Sequence, residues 1–82
     1  MAAFVFEPHA RIVRAIALAD LLDAAGISAS DAGTMHPPEW RLVARAAGTN
    51  RIPSEQTREL VAMLLQRREA ARALLAGVSL FR

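Results

Sequence analysis

Apolar positions along this chain recur at intervals of three and four residues, which predicts helices and no sheet. A first helix is expected over about 8–25. Pro8 suits an opening position because the N–H it lacks would be unpaired there, and Gly26 supplies the left-handed residue that ends the helix. Ile12, Val13, Ile16, Leu18, Leu21 and Leu22 point in nearly every direction around this helix. A helix apolar all round is sandwiched between neighbours.

A second helix is expected over about 38–47, behind Pro37 and ahead of Gly48. Trp40, Val43, Ala44 and Ala47 form one i, i+3, i+4, i+7 face, with Arg41 and Arg45 together off it. A third helix is expected over about 54–76, with Ser54 as N-cap, Glu55 and Glu59 in the turns that favour anions, and Gly77 as terminator. Its stripe of Leu60, Val61, Leu64, Ala71, Leu74 and Leu75 is interrupted by Arg67 and Arg68, and Glu69 is placed to pair with Arg72. The 28–36 segment reads as a loop with one helical turn in it, since Ser28 and Asp31 have capping-box spacing. The prediction is therefore an all-α, compact three-helix unit filling residues 1–82 as a single domain.

Composition sharpens that picture. The 82-residue chain is 54% hydrophobic, above the usual ~45–50%, and 18 of its residues are Ala. Alanine forms helix well and lets helices approach, but it leaves Leu, Ile, Val, Met, Phe and Trp to supply most of the burial energy. Three helices barely cover so apolar a first helix, so a homodimer is expected. Arg14, Asp20 and Asp23 interrupt the longest apolar stretch, which excludes a membrane span. The N-terminal segment has no basic region of the secretory kind, so a cytoplasmic protein is expected.

The sequence pI of about 11.0 reflects missing titrators more than a basic surface. All ten basic residues are Arg and there is no Lys, Tyr or Cys, so a net charge of +2 is enough to raise it. The distribution of charge is more informative. Residues 1–40 set Arg11 and Arg14 against five carboxylates, while residues 41–82 set eight Arg against three. A basic half of this kind neutralises the acidic half or faces an anionic partner.

No residue pattern of an enzyme site is present. There is no cysteine, no phosphate-binding glycine loop and no nucleophile elbow. His9 and His36 lack neighbours at metal-ligand spacing, so neither metal nor other cofactor is expected. Arg67, Arg68 and Arg72, with Arg41 and Arg45, are the candidate contacts to a protein partner with an acidic surface. The same side chains also have a structural reading, in which they pair with Glu69 or with the aspartates of the first helix.

The run from Leu42 to Arg51 resembles the first half of a helix-turn-helix, with small Ala44 four residues before the turn residue Gly48. That resemblance implies nucleic-acid contacts through Asn50, Arg51, Gln56 and Arg58. The chain departs from the pattern where Pro53 and Ser54 stand in place of a buried aliphatic residue. Glu55 and Glu59 would also meet phosphate with the wrong sign. In type, a short helical chain without catalytic residues is similar to stand-alone inhibitors and regulators of mobile genetic elements, anti-CRISPR-like proteins among them. The sequence thus favours a non-catalytic binding protein, with a nucleic-acid-binding regulator as the alternative.

Overall fold

The computed structural model describes the backbone of residues 2–80 and the side chains of residues 9–77. It is all-α over that span: α1 Ala2–Ala24, α2 Ala29–Gly33, α3 Pro37–Ala46 and α4 Glu55–Leu80. The stops and starts follow local chemistry. Gly26 adopts φ +75, and the N–H groups of Gly26 and Ile27 close back on the carbonyls of Asp23 and Leu22 at 3.0 and 2.9 Å. Gly48 repeats the arrangement after α3 with φ +86, Thr49 bonding back to Ala44 at 3.0 Å. Both are Schellman endings, which need a residue free of a Cβ in the left-handed region. The expected turn in the 28–36 loop is α2, whose Asp31 N–H is capped by Ser28 Oγ at 3.1 Å. Ser54 Oγ likewise accepts from the Thr57 N–H at 3.2 Å at the start of α4.

Two boundaries differ from the sequence expectation. Pro8 does not open α1, which already runs from Ala2. Proline's fixed φ is helical, so a proline near a helix end removes one hydrogen bond without forcing a start. Gly77 does not close α4, which continues to Leu80. Its φ is not positive, and a helical glycine only weakens a helix by about 1 kcal/mol relative to Ala.

One core joins the elements. Ala15, Leu18, Ala19 and Leu22 of α1 pack with Ala32 of α2, Trp40 of α3, and Val61 and Leu65 of α4. Trp40 is its largest fully buried side chain. Ile27 packs against this core beside Leu22, as the Schellman ending requires. The two long helices run parallel. Arg11 lines one hollow with Gln56, Glu59, Leu60 and Met63, Asp20 meets Arg68 and Asp23 meets Arg72, so successive turns of α1 meet successive turns of α4.

Burial departs from the expected faces in three places. Helix α1 is covered on one side only, and Ile12, Val13 and Ile16 stay 49%, 52% and 41% exposed. The reason is geometric: α3 and α4 pack on the arc holding Ala15, Leu18, Ala19 and Leu22, and α2 packs on α4. On α3, Ala47 of the expected face is exposed, because the helix has already ended at Ala46. On α4, Leu65 joins the core while Ala71, Leu74 and Leu75 do not. Arg72 sits opposite Asp23, next to the last residue of α1, so α4 overhangs its neighbour from Ala73 onward.

Candidate interaction surface

The arginines divide into those tied to the fold and those turned away from it. Arg68 reaches Asp20 at 2.7 Å and Asp23 at 3.6 Å, and Arg72 donates to the same Asp23. The aspartates are three residues apart on α1 and the arginines four apart on α4, the spacing of single helical turns. Parallel helices in this register hold the two pairs side by side as an ion-pair ladder. The hydrogen bond from Arg72 outweighs the opposing effect of burial and, with the charges of both guanidinium groups, holds the Asp23 carboxyl below its ordinary value. The bond to Asp23 in turn raises the Arg72 guanidinium further.

Glu69 does not make the expected pair with Arg72. Its Oε2 accepts from the backbone N–H of Ala29 at 2.7 Å. That N–H opens α2 and has no partner within its own helix, so a carboxylate on α4 ties α2 to α4. Arg14 makes a comparable tie, donating to the Arg51 carbonyl at 2.6 Å and holding the connection between α3 and α4 against α1.

Of the five arginines expected to meet a partner, Arg68 and Arg72 therefore face α1. Arg67, Arg41 and Arg45 are exposed, with no ion pair among the described residues. Leu42, 65% exposed, lies between Arg41 and Arg45 in sequence.

The nucleic-acid set is split in a similar way. Asn50, Arg51 and Gln56 are exposed around the connection and the first turn of α4. Arg58 is half-buried and lines a hollow of about 290 Å³ with Ala32, Met35, Trp40, Glu55 and Glu59. Its Nε is buried without a hydrogen-bond partner. His9 and His36 are both exposed, and the His36 N–H donates to the Glu39 carboxylate at 3.0 Å in the cap of α3. Among the described residues, no three His, Cys, Asp or Glu side chains gather into a potential metal site.

The structural reading of Arg68 and Arg72 as partners of the first helix's aspartates holds; sequence reasoning missed the parallel register of the ladder and the cap that Glu69 provides. The ladder had a signal, since acids at 20 and 23 and arginines at 68 and 72 share a one-turn spacing on two helices. The cap had none, because an orphan N–H is shared by every helix start. Comparison with protein-family models, curated proteins and solved structures finds no match for this chain.

Proposed function

We propose that this chain is a non-catalytic helical module that acts by occupying the surface of a protein partner, as a stand-alone regulator or inhibitor. The observation that carries the reading is surface the fold leaves uncovered. The chain exposes 6103 Å², where a compact monomer of 8.9 kDa exposes about 4800 Å². Ile12, Val13, Ile16, Leu42, Met63, Leu74 and Leu75 lie on that surface. Large apolar side chains left exposed on α1, α3 and α4 support an interaction site. Arg41, Arg45 and Arg67 supply cations beside or beyond the apolar positions, and they would orient a partner with an acidic surface.

A nucleic-acid-binding regulator is the second reading. It is favoured by the exposure of Asn50, Arg51 and Gln56 at the junction of α3 and α4. Glu55 and Glu59 in the opening turns of α4 oppose it, as does the inward placement of Arg58.

Affinity capture from a lysate of the source organism, with and without nuclease, separates the two. A discrete protein retained after nuclease supports the module reading, and capture lost on nuclease supports the second. The variants R41E/R45E and R67E then test the cations separately. Each is expected to keep the helical circular dichroism of the parent while losing affinity and its dependence on salt. Unchanged affinity in both would remove the arginines from the interface.

A further inference from the structure

The uncovered face of α1 has a shape and charge pattern that suit one particular occupant. On a helical projection, Ile12, Ile16, His9, Asp20 and Val13 fall in order within an arc of about 100°. All five are exposed; Asp23 projects into the same arc but is held by Arg68 and Arg72 of α4, and the buried Ala15, Leu18, Ala19 and Leu22 fill the adjoining arc. Arg68 of α4 reaches into this arc at Asp20, at 2.7 Å, while His9, Ile12, Val13 and Ile16 stay exposed.

We infer that a second copy of this chain covers the face, its α1 packed antiparallel against the first about a two-fold axis between Val13 and Ile16. The inference rests on the reading of the chain as an interaction module and names one of its partners. In that register Val13 meets Ile16 of the second copy, Ile12 meets Ala17, and His9 meets Asp20. A two-fold interface is self-complementary, so each contact is made twice.

Charge selects the direction. A parallel pairing would set Asp20 against Asp20 and His9 against His9, whereas the antiparallel one gives each carboxylate an imidazole N–H. Asp20 has room for this second contact: it gives one oxygen to Arg68, and its side chain remains 63% exposed. The overhanging end of α4 and the exposed arginines of α3 and α4 lie elsewhere in the chain and stay available to a different protein.

The chain has no native cysteine, so engineered pairs can read the geometry in the full-length protein. In the antiparallel register, positions 9 and 20 of opposite copies face each other, while two copies of position 9, or of position 20, stand about 16 Å apart along the helix. A disulfide needs Cα atoms within about 7 Å. A mixture of His9→Cys and Asp20→Cys chains is therefore expected to give the mixed disulfide under mild oxidation, and neither variant alone is expected to cross-link. Self-cross-linking of either variant would overturn the antiparallel register, and no cross-link in the mixture would overturn the interface. Val13→Asp is expected to abolish self-association in sedimentation at unchanged helical content. If it unfolds instead, the concentration dependence of parent melting decides: a melting temperature that rises with protein concentration supports the dimer, and a constant one overturns it. A parent that is monomeric yet still captures a protein partner refutes this inference alone. A cross-linked dimer that captures none refutes only the wider module reading.

Discussion

Trp40 and Asp23 show how differently single residues contribute to this fold. Trp40 is 1% exposed and touches the core from α3. Removing it leaves a cavity as well as losing burial, so Trp40→Ala is expected to destabilise the chain by about 3–5 kcal/mol, measured by urea unfolding. Asp23 acts through charge. Its carboxyl is held below the ordinary value of 3.8 by Arg72 and Arg68, so folding favours the ionised form. The stabilisation is fully present above the unfolded value and is lost as pH falls through the lower, folded one. Asp23→Asn is therefore expected to be less stable than the parent near neutrality, with the difference beginning to shrink near the unfolded value of 3.8 and vanishing below the lower folded one. A difference that persists unchanged at pH 2 would show that Asp23 contributes by something other than its charge. High salt is expected to narrow the gap as well, because the pairs are solvent-exposed.

The four glycines make the clearest comparison among the elements. Gly26 has a positive φ and nothing within 4 Å of a Cβ added there, and Gly77 has the same open space in helical backbone. Gly26→Ala is expected to destabilise by about 1–2 kcal/mol through backbone strain alone. Gly77→Ala is expected to leave stability unchanged or raise it by up to about 1 kcal/mol through helix propensity. Paired melting curves check both signs, and equal effects at the two sites would contradict the assigned conformations. The helices themselves were legible because capping and termination are local. Ser28, Ser54, Gly26 and Gly48 each act on neighbours within a turn, and each acts as its sequence context predicts. Proline and glycine at 8 and 77 misled because helix continuation depends on the summed propensity of a whole segment. The arginines were ambiguous for a different reason: whether Arg68 and Arg72 face a partner or α1 depends on the parallel register of α1 and α4, which is set by long-range packing. Arg67, one residue away, points elsewhere.

At the scale of the whole molecule, the core is too small for the chain that surrounds it. A radius of gyration of 14.7 Å and extents of 52 × 31 × 19 Å exceed the ~12 Å radius expected of a compact chain this long. The parallel pairing of α1 and α4 explains much of that length, since each helix must cover the other while α2 and α3 occupy only one side. Ile12, Val13 and Ile16 are the consequence: a face that is helical, apolar and left to solvent by every other element. Sedimentation equilibrium of the unmodified chain across the micromolar range tests most directly whether a second copy covers that face. A mass of twice 8.9 kDa that dissociates on dilution is expected. A single species of 8.9 kDa at every concentration would contradict it.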